Sequence, residues 1–303
     1  MTTQPASAID EALGRPAGWF EQHAGIASRC VWAEQDALAA AADAAAECLH
    51  EAEVGADAVG ALLVTSEAPP MLAGLGAALR HRIGLRRDAV SLEIGNACTG
   101  FLAALWLGES LLSRVGPVLV VAVEAPSHFL APRPGPEGEA AALFGDGAAA
   151  ALLCDRAIGR HPVPLAGVVL GADGGAGDVL RVARAPTGAV ALHMDGPALA
   201  LRAVKAMADG VGAITARHGV DVSALEAVVC HGGNGRLPAL LARELGLPPE
   251  RVWSETARAG NLGSASLPAA WAARRPAPSG PVAWAAVGAG LTWGAAITGL
   301  EWE

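Results

Sequence analysis

Ala89-Val90-Ser91-Leu92-Glu93-Ile94-Gly95-Asn96-Ala97-Cys98-Thr99-Gly100-Phe101 runs from β-prone residues through small ones into a segment with helical spacing of apolar residues up to Ser113. Strand, break and helix in that order are the unit from which open α/β sheets are built. The break carries a thiol. At the mouth of a helix, unpaired N–H groups and the helix dipole favour thiolate over thiol, so Cys98 is expected to have a lowered pKa and to be a nucleophile. A solitary buried cysteine more often just fills space, so its weight depends on partners elsewhere.

The alternation extends both ways from this stretch. Glu34 to Glu53 reads as an alanine-rich helix, Val59 to Thr65 as a buried strand, and Met71 to Ile83 as a helix. Val118 to Val123 and Ala148 to Leu153 are further strands, the second entered through the tight turn Gly145-Asp146-Gly147. The order recurs downstream: strand Leu225 to Cys230, helix Leu237 to Leu245, helix Gly263 to Ala273, strand Val282 to Val287, and a closing segment Thr292 to Trp302. Shifting one half by about 164 residues superposes Gly116-Pro117-Val118 on Gly280-Pro281-Val282 and the Cys98 helix on the helix after Asn261. The expected fold is therefore α/β, with two duplicated halves. Residues 1–160 carry the cysteine and residues 161–303 the later motifs, with the boundary in Asp155 to Leu165, where Pro162 and Pro164 interrupt the pattern.

Composition narrows the function. Hydrophobic residues make up 52% and there are 38 glycines, which fits helices packed closely on sheets. Net charge is −9, no run of Lys or Arg occurs, and there is no tyrosine, so neither nucleic acid nor an anionic membrane is an expected partner. Five cysteines without CxxC spacing argue against a disulfide framework or a zinc site, and no metal is expected. Met1 to Asp10 has no signal-peptide character and no apolar run is long enough for a membrane span, so a cytoplasmic location is expected.

Two segments offer partners for Cys98. His231 follows a strand and precedes Gly232-Gly233-Asn234, and Asn261 opens a helix between Gly260 and Leu262. Each has a plain alternative, a loop histidine for the first and a helix N-cap for the second. Ligands in such sheets gather beyond the carboxyl ends of strands, where all three residues fall.

Taken in order, the motifs resemble those of the β-ketoacyl-acyl carrier protein synthase III family of the thiolase superfamily. The similar pieces are Trp19 to Arg29 (WFEQHAGIASR), Asn96 to Phe101, Phe144 to Ala148 (FGDGA), and Met194-Asp195-Gly196. They continue with HGGN at His231, GNLGSASLP around Asn261, and Gly288 to Gly294 (GAGLTWG). The resemblance implies a thiolase-like fold with a layered α-β-α-β-α architecture and a Cys98-His231-Asn261 triad. Cys98 would take an acyl group from an acyl-CoA. A malonyl unit on CoA or acyl carrier protein would lose carbon dioxide and attack the Cys98 thioester, giving a β-ketoacyl product. His231 and Asn261 would stabilise the enolate, and the backbone N–H groups of Cys98 and Ala289 the tetrahedral oxyanion. No cofactor beyond these thioesters is implied. Trp19, His23, Arg29, Asn234 and Arg236 match positions that meet CoA or carrier protein, Met71 matches one that shapes the acyl pocket, and a homodimer is implied. Depth of that pocket is expected to depend on the loops Ala68 to Leu75 and Ala185 to Leu192.

The chain also departs from the family pattern. His23 stands in place of an arginine, HGGN replaces HQAN, Ala289 replaces a glycine, and only a short segment precedes Trp19. The first sheet is therefore expected to lack a strand or to take cover from another chain. These changes favour a role in secondary metabolism over housekeeping fatty-acid initiation. Transfer of the Cys98 acyl group to an alcohol, amine or thiol is an alternative, and a non-catalytic partner subunit is a second.

Overall fold

Strand segments that are apolar at every position must bury both faces, and the chain satisfies this by laying helices on either side of two sheets. The computed structural model describes residues 2–32, 37–67, 74–184, 190–274 and 278–301, with the backbone alone for 182–184 and 190–193. The first half contains β1 (Thr2–Pro5), α1 (Ala6–Leu13), α2 (Trp19–Ala24), β2 (Ser28–Val31), α3 (Ala37–Ala52) and β3 (Ala61–Thr65). It continues with α4 (Leu75–Arg82), β4 (Val90–Ile94), α5 (Gly100–Val115), β5 (Val118–Glu124), α6 (Pro136–Ala142) and β6 (Gly147–Leu153). The second half contains β7 (Leu165–Ala172), β8 (Leu180–Arg184), β9 (Val190–Met194), α7 (Gly196–Arg217), β10 (Ala227–Cys230) and α8 (Leu237–Leu245). It closes with β11 (Val252–Trp253), α9 (Thr256–Ala259), α10 (Ser266–Ala272), β12 (Val282–Gly288) and β13 (Thr292–Thr298).

The first main sheet has four strands in the order β4-β3-β5-β6, and the second has five in the order β11-β10-β12-β13-β7. In each, three strands run parallel and the next is antiparallel: β6 on β5, and β13 on β12. Alternation along the central strands feeds separate cores. Val118, Val120 and Ala122 of β5 face a central cluster shared with Val282, Trp284 and Ala286 of β12. Leu119, Val121 and Val123 face α3 and α4 on one outer side, while Ala283, Ala285 and Val287 face α7 and α8 on the other. Phe101, Leu102 and Leu105 of α5 and Leu267 and Ala270 of α10 fill the middle. The layers are therefore α-β-α-β-α, as in the thiolase-like fold.

Most expected elements occur within a few residues of their predicted ends. Cys98 precedes α5 instead of starting it, because Ala97–Thr99 forms a 3-10 turn. The residues before Trp19 form β1 and α1; β1 pairs antiparallel with β2 in a small separate sheet and does not join the first main one. Among the described residues the first main sheet has no counterpart of β7. The Asp146 carboxylate, 1% exposed, accepts hydrogen bonds from Trp32 N (2.7 Å), Ser127 N (3.0 Å) and Ser127 Oγ (2.6 Å). The glycine-rich segment Gly174–Val179 is a 3-10 helix, with Asp173 Oδ1 accepting from Gly175 N at 3.1 Å. Among the described residues no cluster of metal-ligating side chains occurs, and no helix is long and apolar enough to cross a membrane.

Asp146→Ala would orphan the buried Trp32 N–H and the part-buried Ser127 N–H at once. It is expected to destabilise the fold by about 2–4 kcal/mol, read as a lower urea midpoint, with Asp146→Asn costing less.

Candidate active site

The 3-10 turn bearing Cys98 packs against a second one, Gly263–Ala265, at the start of the helix related to α5 by the internal duplication. Small residues permit the approach. A Cβ on Gly100 would lie 2.0 Å from Thr65 Oγ1 and 3.6 Å from the Ser264 Cβ. The end of β12 closes a third side: a Cβ on Gly288 would lie 2.9 Å from Cys98 N and 2.9 Å from the Ala97 Cβ, so only glycine fits there. Thr99 Oγ1 and Thr292 Oγ1, 2.9 Å apart, tie the cysteine turn to the first residue of β13. Ala97 has φ 49°, a left-handed conformation that a non-glycine residue adopts only where its surroundings compel it.

His231 extends β10, its N–H donating to Ala285 O at 2.9 Å. The side chain is 5% exposed, and Nδ1 lies 3.1 Å from Ser266 Oγ at the first residue of α10. Burial pushes the imidazole pKa down to about 4, so it is neutral at pH 7. A hydroxyl can donate or accept, and in the tautomer in which Ser266 donates to Nδ1 the proton resides on Nε2. Gly233 leaves that nitrogen accessible, since a Cβ there would lie 3.7 Å from it. Thr256 Oγ1 donates to Gly232 O at 2.6 Å and fixes the glycine loop.

Asn261, also 5% exposed, is held by its backbone on both sides: its N–H donates to Leu143 O at 2.7 Å and its carbonyl accepts from Gly145 N at 3.0 Å. The FGDGA segment therefore exists to seat Asn261. Gly263 N donates to Asn261 Oδ1 at 2.9 Å, which defines which side-chain atom is oxygen and leaves Nδ2 as a donor. The structure thus brings the segments bearing Cys98, His231 and Asn261 to one place.

The thiol expectation needs correction. Cys98 is pushed up to about 12, chiefly because burial disfavours the thiolate, and then because the Glu124 and Glu67 carboxylates repel it; its own backbone N–H acts the other way. The helix mouth does not prevail over desolvation, and the resting residue is a thiol. Glu124, at the end of β5, accepts from Ser264 Oγ (2.5 Å), Ser264 N (3.2 Å) and Glu67 N (3.0 Å), and Glu67 Oε1 accepts from Ala97 N at 2.8 Å. These carboxylates were missed, as was Ser266. Both acids lie at or just past the carboxyl ends of β3 and β5, the same criterion that singles out Cys98.

The expected binding residues divide. Trp19 and His23 stack at 4.3 Å on the surface of α2, with the Arg15 guanidinium 4.6 Å over the Trp19 ring. Gly235 N donates to Ala24 O at 2.8 Å and the Arg236 guanidinium to Gln22 O, so α2 adjoins the loop after His231. Asn234 Oδ1 closes the turn leading into α8, accepting from Arg236 N (2.9 Å) and Leu237 N (3.2 Å). Arg29 is a correction. It is 4% exposed, and its guanidinium donates to Gln4 Oε1 (2.7 Å), Phe144 O (3.1 Å) and Ala141 O (3.4 Å). It braces the turn beside Asn261 and is not a surface contact. Ala289 lies in the β12–β13 turn next to Gly288. Met71 and parts of the two pocket loops, residues 68–73 and 185–189, lie outside the described residues.

Residues 92–174 match the family described as 3-oxoacyl-[acyl-carrier-protein] synthase III, and residues 215–300 match its C-terminal part. The 3-oxopimeloyl-[acyl-carrier-protein] synthase of Rhodothermus marinus is 31% identical, over 99% of this chain and 90% of its own. The crystal structure of 3-oxoacyl-(acyl carrier protein) synthase III from Pseudomonas aeruginosa PAO1 is 29% identical, with TM-score 0.86, covering 99% of this chain and 94% of that one. The priming β-ketosynthase of the R1128 polyketide pathway is 26% identical, with TM-score 0.86, covering 98% and 91%.

Alkylation of Cys98 by iodoacetamide is expected to keep accelerating with pH beyond the point, about 8.5, where an ordinary thiol begins to level off. Glu67→Gln removes a repelling charge and should move the profile to lower pH. A plateau below pH 9 in the wild type would contradict the raised pKa.

Proposed function

The chain belongs to the 3-oxoacyl-[acyl-carrier-protein] synthase III family and is a condensing enzyme of the acyltransferase type, and from that we propose a decarboxylating Claisen condensation centred on Cys98, His231 and Asn261. The hydrogen bonds of two side chains support this most directly. With Ser266 donating to His231 Nδ1, and with Gly263 N donating to Asn261 Oδ1, Nε2–H and Nδ2–H are left as two neutral donors. A pair of neutral donors suits an enolate oxygen that must accumulate charge and then release it.

In the first half-reaction the Cys98 sulfur attacks an acyl thioester. Because Cys98 is a thiol at rest, its proton is lost to solvent as the sulfur attacks and the departing thiolate takes one up; His231, a donor at Nε2, does not carry it. The oxyanion would sit against the N–H groups of Cys98 and Ala289. In the second, a malonyl thioester loses carbon dioxide, and the electron pair of the broken bond forms an enolate held by His231 and Asn261. Its carbon attacks the Cys98 thioester, and the sulfur leaves and regains a proton. No base is needed to generate the carbanion. We assign the Trp19, His23, Asn234 and Arg236 face to CoA or carrier-protein contact, on its adjacency to the His231 loop. The departures at His23, HGGN and Ala289 favour a secondary-metabolite substrate, and the priming ketosynthase likeness fits that class. We also propose a homodimer through the β4 edge of the first sheet, where Val90 and Leu92 are 37% and 40% exposed.

Intact-mass measurement against a panel of acyl-CoA and acyl-carrier donors is expected to show one acyl adduct, absent in Cys98→Ala. Labelled malonyl carrier should then release labelled carbon dioxide. His231→Ala and Asn261→Ala should lower that release at least a hundredfold while self-acylation falls far less. Acylation without carbon dioxide release would favour simple acyl transfer, and no acylation by any donor a non-catalytic role.

Ser266 positions His231 and does not itself meet substrate. Ser266→Ala is expected to reduce decarboxylation about tenfold to a hundredfold by freeing the tautomer, with rescue by Ser266→Thr. Equal activity of the alanine and threonine variants would remove that role.

A further inference from the structure

Thr99 Oγ1 lies 2.6 Å from Asn96 O and 2.9 Å from Thr292 Oγ1. A carbonyl oxygen can only accept, so the Thr99 proton goes to Asn96 and Thr99 Oγ1 accepts from Thr292. Thr292 has a second acceptor in reach, Ala289 O at 3.3 Å, but the bond to Thr99 is the shorter. The result is a directed chain from Thr292 through Thr99 to Asn96 O. Asn96 O also accepts from Thr99 N at 3.1 Å, which closes the turn that carries Cys98.

This chain joins the two halves of the molecule at the site itself. Thr292 opens β13 and pairs across the hairpin with Gly288, the last residue of β12. A Cβ on Gly288 would lie 2.9 Å from Thr292 Oγ1 and 2.9 Å from Cys98 N, so the hairpin turn is pressed against the cysteine turn. Ala289 follows Gly288 in that hairpin turn. On the other side Ala97 is left-handed, with φ 49°, and the cysteine turn keeps that shape only with support from its surroundings. Thr99 is completely buried, so water does not replace the Thr292 hydroxyl if it is lost.

Donors to an oxyanion act only when held near their productive positions, and losing one costs a factor of about a hundred to a thousand. The Cys98 and Ala289 N–H groups, assigned above to the oxyanion, come from different halves, so whatever joins the two turns sets their spacing. We propose that Thr292 is a positioning residue for acyl transfer, its hydroxyl bridge to Thr99 fixing the Ala289 turn against the Cys98 turn so that both N–H groups reach one oxygen. Thr292 does not itself meet substrate. The inference rests on the acyl-transfer reading of Cys98.

The test compares two reactions of the same sulfur in the full chain. Attack on a thioester carbonyl develops an oxyanion; alkylation by iodoacetamide displaces iodide from a saturated carbon and develops none. Thr292→Val keeps the branched shape and removes the hydroxyl. With whichever of acetyl-, butyryl- and octanoyl-CoA acylates the wild type fastest, its maximal acylation rate is expected to fall about tenfold to a hundredfold. The donor concentration at half-maximal rate and the alkylation rate should each stay within about twofold of wild type. Thr292→Ser should restore most of the acylation rate. Thr99→Val breaks the same bridge from the other side and should show the same split, which keeps the test available if Thr292→Val unfolds. The double variant should fall no further than Thr99→Val alone, because the two hydroxyls form one bridge. Wild-type acylation rates in Thr292→Val or Thr99→Val, an equal fall in acylation and alkylation, or no rescue by Thr292→Ser would each overturn the assignment. If no donor acylates the wild type, the reading of Cys98 fails and this assignment with it.

Discussion

Contact between two helix-starting turns, one before α5 and the other before α10, is the constraint on which the rest of the molecule depends. Gly100 against Thr65, Gly288 against Cys98 N, and Ser264 against Glu124 are all approaches that any larger side chain would block or misalign. Duplication makes the contact possible, because each half delivers its central helix to the same interface with the same polarity. The carboxyl ends of β3, β5, β10 and β12 then open on one place, and the residues just beyond them become neighbours although they lie far apart in the chain.

Burying that place changes its chemistry. Desolvation drives the Cys98 thiol toward its neutral form and the His231 imidazole toward its own, so both are uncharged at rest. The nearby carboxylates reinforce the neutral thiol, and their hydrogen bonds to Ser264, Glu67 N and Ala97 N show that they also hold the two turns in position. Packing and reactivity therefore have one cause here. A more open site would make a more acidic thiol, but it would also let water compete for the His231 and Asn261 donors that we assign to the enolate.

Sequence periodicity located the strands well, because β3, β5, β10 and β12 are apolar almost throughout, and β3, β5 and β12 follow a glycine or proline. It missed α7, the longest helix, whose start at Asp195-Gly196-Pro197 has the composition of a turn; in the structure Asp195 Oδ1 caps it by accepting from Ala198 N at 3.2 Å. It also passed over β7, whose glycines at 167 and 171 are required by His218 and Trp293 packing close above them. Arg29 was misjudged for a related reason: an arginine in a motif looks like a ligand contact until its burial is known.

Residue order alone determined the duplicated α/β plan, the cysteine at a strand-to-helix break, and the histidine and asparagine that accompany it, since these follow from local apolar patterning and motif order. Only the tertiary structure decided the protonation of Cys98, the orientation of His231 and Asn261, the inward fate of Arg29 and the hydroxyl bridge from Thr292 to Thr99. Each of those depends on which groups exclude water from which others, and that is a property of segments brought together across the fold rather than of neighbours along the chain.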